Sequence, residues 1–160
     1  MANLRDHDVR PARRAAQCGL ALEMPDSRFL DFTSIGYAQL LADSALSGRF
    51  VGGCEVPCWR DLDLAAQPVI LRVDGVEFAR GTGAEVMGDP RLALHWLALE
   101  LPKLGRRLCA GEVVTTGAAT RPAPVTRGAH VFADFGDLGT IEARFGHVSG
   151  NPVTTRDGVS

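Results

Sequence analysis

The sequence has few of the features that would link it to a membrane or a nucleic acid. Its 160 residues contain no apolar run near the length that spans a bilayer. Arginines occur in residues 1–16, but no apolar segment follows them, so a secretory signal is not expected. The net charge is −2, and no basic stripe is present. These absences argue against nucleic acid and anionic membranes as partners, and we expect a cytoplasmic protein.

Only two of the four cysteines are closely spaced, which limits metal-site interpretations. Cys54 and Cys58 are separated by three residues, and neither Cys18 nor Cys109 provides a second pair. A zinc site with paired ligands is therefore not favoured. We expect reduced thiols that are buried or half-buried.

The composition that remains is that of an ordinary globular domain, with 46% hydrophobic and 22% charged residues. A chain of this length favours one domain with a real core. We place this domain at residues 18–147, between a poorly ordered leader at 1–17 and a tail at 148–160.

The stretch Gly81–Gly117 predicts a glycine-rich loop, a long helix and a strand. Asp89 is suited to cap the helix and Pro90 to begin it. The helix should bury an apolar face that contains Leu92, Ala93, Trp96, Leu97 and Leu99. Pro102 and Gly105 should end it. The β-branched run Val113–Thr116 predicts a buried strand that ends on Gly117.

The rest of the chain predicts mostly strands, which favours an α+β class with a mixed or antiparallel sheet. A short helix over Ile35–Ser44, capped by Ser34, is the exception. Asp74-Gly75 is a strong signal for a two-residue hairpin turn. The predicted strands and hairpins are Gly19–Met24, Arg49–Gly53, the hairpin Val69–Ala79, and the hairpin formed by His130–Phe135 and Thr140–Phe145.

Glu23 is a carboxylate inside the compact apolar run Gly19–Met24, and it needs an explanation because burial of an unpaired charge is costly. Three explanations are open: an arginine partner such as Arg28, a metal ion, or an exposed strand face. Periodicity favours the face or the arginine. By contrast, His95 is a lone histidine on a half-apolar helix, and we expect it to have no catalytic role.

Three ordered motifs carry a family resemblance. They are A-L-E-M-P-D-S-R at residues 21–28, G-x-G-x-x-V-x-G-x-P-x-x-A-x-x-W-L-A from Gly81, and L-x-A-G-x-V-V-x-T-G ending at Gly117. Together they closely resemble the 2-keto-4-pentenoate hydratases, which belong to the fumarylacetoacetase-like superfamily with the 4-oxalocrotonate decarboxylases. The resemblance covers most of this chain but only the C-terminal part of the usual family chain. It implies a mixed β-roll, N-terminally truncated here.

The resemblance also implies a reaction and its ligands. The hydratases add water to 2-hydroxypenta-2,4-dienoate and give 4-hydroxy-2-oxopentanoate in the meta-cleavage breakdown of aromatic compounds. A hard cation, Mg²⁺ or Mn²⁺, suits the carboxylate ligands and the 2-oxo acid substrate. By resemblance, Glu23 is a metal ligand. The general acid and base are not identified.

Other motif residues acquire expected roles in the same way. Asp26, Ser27 and Arg28 are expected around the metal ligand as supporting residues. Asp43 and Ser44 fall in a segment similar to the family's A-D-N-A, with Ser44 in place of asparagine. The substrate carboxylate is expected near Thr116, Gly117 and Ala118, where Ala118 replaces the family's hydroxyl residue.

One family feature is absent: no E-x-E pair, which supplies the other metal ligands in the family, occurs in these residues. Three readings follow: a chain completed by another polypeptide, a truncated paralogue without catalysis, or a misassigned chain start. The alternatives to a hydratase are a 4-oxalocrotonate decarboxylase-type enzyme and a non-catalytic subunit. We expect either a homo-oligomer or association with a chain that supplies the missing N-terminal part.

Overall fold

The structure is a computed structural model that describes residues 17–146. The predicted tail, and all of the predicted leader except Gln17, lie outside this part of the chain. Within it, no helix is long and apolar enough to cross a membrane.

The described residues form a mixed helix-and-sheet fold, as the sequence predicts at that level. The strands are β1 (Gly19–Met24), β2 (Arg49–Glu55), β3 (Pro68–Val73), β4 (Val76–Thr82), β5 (His130–Asp134) and β6 (Thr140–Arg144). The helices are α1 (Tyr37–Ala42) and α2 (Pro90–Glu100), and short 3₁₀ turns connect several elements. Every predicted strand except Val113–Thr116 is therefore present.

Two antiparallel sheets organise the fold. β1 and β2 form a two-stranded ribbon, in which Glu23 lies opposite Phe50. The other sheet has the order β4-β3-β5-β6. Its first hairpin turns at Asp74 and Gly75, which both have positive φ, as the Asp-Gly signal predicts. The Asp74 carboxylate accepts a hydrogen bond from the His130 amide at 2.8 Å, which ties this turn to β5.

Alternating apolar residues of the strands supply the core. One buried cluster lies on the four-stranded sheet and contains Leu71, Ala79, Val131, Ala133 and Ile141. Leu22 and Val51 of the ribbon pack against it. A second cluster joins Leu20 and Val56 to Trp59 and Leu64 in the connection between β2 and β3. Trp59 is thus a packing residue.

The helices differ from their predicted burial. The Asp89 side chain accepts a hydrogen bond from the Arg91 amide and caps α2, so the predicted cap is confirmed. The predicted apolar face is not buried, because Trp96 and Leu99 are each more than half exposed. In α1 the N-cap is Gly36, and the predicted cap by Ser34 is wrong, since its hydroxyl bonds to Asp31 instead.

The predicted buried strand Val113–Thr116 is also wrong. These residues have no regular secondary structure, and Val113 is 78% exposed. Their β-propensity is real, but no described strand pairs with them. The cysteine prediction fails in part as well: Cys18 is half-buried, whereas Cys54, Cys58 and Cys109 are exposed.

Candidate functional site

A buried aspartate holds together the corner where the first motif ends. The Asp43 side chain is 1% exposed and follows α1. Its carboxylate accepts hydrogen bonds from Ser27 Oγ at 2.7 Å, the Arg28 amide at 3.2 Å and Arg28 Nη1 at 2.6 Å. The hydrogen bond from the Ser27 hydroxyl lowers the pKa of Asp43 most, and the hydrogen bond from the Arg28 side chain lowers it further. Asp43 is therefore a satisfied buried anion.

The backbone after Asp43 is unusual. Ser44, Ala45 and Leu46 have φ values of 54°, 53° and 63°, a conformation that residues with side chains rarely adopt. The Asp26 amide donates to the Leu46 carbonyl at 3.1 Å and joins this segment to the loop after β1. Such strain persists only where the surroundings impose it, and it often accompanies ligand sites. We call the unit formed by residues 25–28 and 43–48 the Asp43 corner.

Of the three explanations that the sequence leaves open for Glu23, the structure supports the exposed strand face. Its side chain is exposed on β1, and Arg28 pairs with Asp43 instead. Among residues 17–146, no group of three His, Cys, Asp or Glu side chains is placed to hold a metal ion. The donor set around Glu23 in the described residues therefore does not fit a resident divalent cation.

The predicted substrate-binding segment lies in an irregular loop. Thr116 is half-buried, while Gly117 and Ala118 are exposed. Gly117 has φ 136°, and a Cβ there would lie 3.1 Å from Val86 Cγ1. A side chain at this position would therefore be disfavoured by both its backbone and its neighbour.

The structure joins some predicted site residues and leaves others apart. Ser27, Arg28 and Asp43 are in direct contact, and Asp26 is linked to them through the backbone. Ser44 contributes its strained backbone, and its side chain is exposed. Within the described part of the chain, no hydrogen bond connects Glu23 or the Thr116–Ala118 segment to the Asp43 corner.

Sequence reasoning missed a second feature near the long helix. An open cleft lies between α2 and residues 106–115, with Leu97 and Leu101 on one wall and Arg106 and Arg107 on the other. In α2, the Nδ1 atom of His95 is buried and has no hydrogen-bond partner in the described structure. The sequence shows Arg106 and Arg107 as adjacent cations, which usually lie on a solvated surface, and it gives no signal that the segment 106–115 lies beside the helix.

Comparison with known proteins agrees with the motif resemblance. The chain is 38% identical over 125 residues to the 2-keto-4-pentenoate hydratase of Burkholderia vietnamiensis (strain G4 / LMG 22486), which covers 78% of this chain. The chain is related to the 2-keto-4-pentenoate hydratases. It spans about half the length of this relative, since the match covers 47% of it. No protein-family model matches the chain.

Solved structures of a 4-oxalocrotonate decarboxylase are similar to this chain in fold. The 4-oxalocrotonate decarboxylase from Pseudomonas putida G7 complexed with magnesium and adipate has a TM-score of 0.72 and 31% identity. The match covers 78% of this chain and 47% of the decarboxylase. The same enzyme complexed with calcium and acetate gives a TM-score of 0.71 and 29% identity, over 81% of this chain and 48% of that one.

Proposed function

We propose that the protein is a hydratase that adds water to 2-hydroxypenta-2,4-dienoate and forms 4-hydroxy-2-oxopentanoate in meta-cleavage catabolism of aromatic compounds. The observation that carries the proposal is the 38% identity to a named hydratase over 125 residues. The D-S-R part of the A-L-E-M-P-D-S-R motif folds here into the Asp43 corner. We further propose that the fold is the corresponding part of a fumarylacetoacetase-like mixed β-roll, placed at residues 18–147.

The proposal gives each motif residue a limited task. Asp43 holds Ser27 and Arg28 in place, with Asp26 and Ser44 fixing the backbone around them. Exposed backbone N–H groups at Gly117 and Ala118 are available to a substrate carboxylate, next to the Thr116 side chain. Ala118 lacks the hydroxyl that the family has at this position. The affinity for the carboxylate should therefore be lower, but the backbone contact should remain.

The metal requires separate treatment. The related decarboxylase structures contain calcium or magnesium, and we propose Mg²⁺ or Mn²⁺ as the cation of the complete enzyme. Glu23 would provide one ligand. Because no group of three candidate ligands forms among the described residues, we assign the other ligands to residues outside this part and derive no reaction step through the metal.

A decarboxylase of the 4-oxalocrotonate type is the second candidate, and the two solved structures favour it. The incomplete ligand set favours a third possibility, a non-catalytic subunit of the same family. We propose association with a second copy or with a chain that supplies the missing part. Exposed apolar side chains on α2 support such an association.

One assay separates these functions. The purified 160-residue chain is incubated with Mg²⁺ and either 2-hydroxypenta-2,4-dienoate or 4-oxalocrotonate, and products are identified by NMR. Formation of 4-hydroxy-2-oxopentanoate supports the hydratase. Release of CO₂ from 4-oxalocrotonate, without hydration of the dienoate, supports the decarboxylase instead. A folded chain that converts neither substrate contradicts an enzymatic role for this chain.

A further inference from the structure

We infer that Arg28 is a carboxylate-binding residue for a small organic acid, held in position by Asp43. The inference rests on the proposed function and deepens it: Gly117 and Ala118 are proposed for one substrate carboxylate, and Arg28 would bind the second carboxylate of a dicarboxylate such as 4-oxalocrotonate. It also changes the expected role of Arg28 from support of Glu23 to direct contact with a ligand.

Among the described residues, the Nε–Nη2 edge of the Arg28 guanidinium remains open. An arginine binds a carboxylate best through two parallel N–H groups, and the Nε–Nη2 edge provides such a pair. Arg28 contacts Asp43 through Nη1. In the described structure its Nε and Nη2 groups make no hydrogen bond, and its side chain is 81% exposed.

Two other arginines of this chain show the contrast. Arg80 uses Nε and Nη2 to bind the Glu77 carboxylate, at 3.2 and 3.0 Å. Arg91 uses the same two nitrogens to bind Asp89. Both arginines therefore already hold an internal carboxylate at the edge that Arg28 keeps free.

Arg28 is also preorganised for binding. A free surface arginine loses rotamer entropy when it binds a ligand, which offsets much of the gain. Arg28 is fixed at both ends of the residue, because its amide and its Nη1 group both donate to the buried Asp43 carboxylate. The strained segment 44–46 and the link between Asp26 and Leu46 hold Asp43 in turn.

Acidic neighbours in the chain are already engaged. The Asp26 carboxylate accepts a hydrogen bond from the Ser27 amide at 2.9 Å. The Asp31 carboxylate accepts from the hydroxyls of Thr33 and Ser34, each at 2.7 Å. Neither pairs with Arg28, so its open edge is not filled by a local anion.

The test is a titration of the metal-free 160-residue chain with adipate, followed through the arginine Nε–H resonances in ¹⁵N NMR spectra. Metal is removed with a chelating resin, so that no soluble polycarboxylate competes. We expect the Arg28 resonance to shift and the Arg80 resonance to stay. Arg28→Gln should weaken binding by about 10-fold or more, since hydrogen bonds to charged groups contribute roughly 1.5–3 kcal/mol.

Arg80→Gln is the matched control, and hexane-1,6-diol is the uncharged control ligand. Arg28→Lys keeps the charge but not the two-pronged edge, so it should restore binding only in part. Asp43→Asn should weaken binding less than Arg28→Gln, as a positioning residue would. Thermal melting of each variant shows whether it folds.

Unchanged adipate affinity in folded Arg28→Gln, equal losses in both arginine variants, or no binding at all would overturn the inference. The proposed function is judged separately by turnover. Adipate binding at Arg28 without turnover rejects the hydratase and keeps the carboxylate site. Turnover by a protein whose adipate affinity is unchanged in Arg28→Gln supports the hydratase and rejects the carboxylate site.

Discussion

Gly81 of β4 lies directly beneath Ala119, so closely that a Cβ on Gly81 would overlap the Ala119 carbonyl oxygen. The loop that follows the Thr116–Ala118 segment is therefore seated on the edge strand of the larger sheet. Arg121 fastens the same loop, since its Nη2 donates to the Phe78 carbonyl at 3.0 Å and its guanidinium stacks over the Phe78 ring. The close backbone contact and the Arg121 side chain together position this candidate binding loop.

Gly81→Ala should displace this loop and destabilise the protein. We expect a loss of about 1–3 kcal/mol in the free energy of unfolding, the usual cost of overpacking. Urea denaturation measures it. Gly146→Ala is the control, because a Cβ at Gly146 meets nothing within 4 Å. Equal stability of the two variants would show that the loop does not rest on Gly81.

Asp43 should make the stability of its corner pH-dependent. Its pKa is lowered in the folded state by the Ser27 hydroxyl and by Arg28, so protonation favours unfolding. The contribution is fully present above about pH 4, the ordinary range of an aspartate, and is lost as pH falls through the folded pKa.

Asp43→Asn should accordingly lower the melting temperature at pH 7 and flatten its decline below about pH 4. Asp137→Asn provides the control, because the Asp137 side chain is exposed and forms no hydrogen bond within residues 17–146. Parallel melting curves for wild type and Asp43→Asn across this pH range would contradict the buried-anion description.

Ile141 tests the core between the ribbon and the larger sheet. It is 7% exposed, and its Cδ1 atom would lie 3.1 Å from a Cβ on Gly53 of β2. Ile141→Ala should cost about 2–5 kcal/mol in unfolding free energy. Val76→Ala, at a 71% exposed position, should change stability little. A small effect at Ile141 would mean that the ribbon does not pack on β6.

The thiols should fall into two classes of reactivity. Burial raises the pKa of Cys18, although the nearby Arg91 charge opposes the effect. The other three cysteines are exposed. Dithionitrobenzoate should therefore label three thiols quickly and one slowly in the native protein. Loss of the slow phase in Cys18→Ser identifies that thiol, and four equally fast thiols would contradict its burial.

Much of the fold was predictable because its signals are local. The Asp74-Gly75 turn, the Asp89 cap and the alternation in β5 and β6 each depend on a few neighbouring residues. Val113–Thr116 misled for the same reason: its β-branched residues predict a strand, but a strand also needs a partner, which no local pattern reports. Trp96 and Leu99 show the same limit, since helical periodicity identifies an apolar face without showing what covers it.

The candidate site was predictable only by motif. The resemblance selected Ser27, Arg28 and Asp43, and the structure brings them together although 15 residues separate Arg28 from Asp43. It gave no indication that Asp43 would be the buried member and Arg28 the exposed one. That assignment depends on long-range contacts and on the left-handed backbone at Ser44–Leu46, neither of which composition or spacing encodes.

Glu23→Gln in the hydration assay tests the proposed function most directly. Glu55→Gln is the matched control, because Glu55 is also an exposed glutamate of the ribbon and accepts a hydrogen bond only from Gln17 in the described structure. The account predicts Mg²⁺-dependent formation of 4-hydroxy-2-oxopentanoate by wild type and Glu55→Gln, and its loss in folded Glu23→Gln. Equal product formation by all three proteins would contradict the role proposed for Glu23, and no product from any of the folded proteins would contradict hydratase activity of this chain.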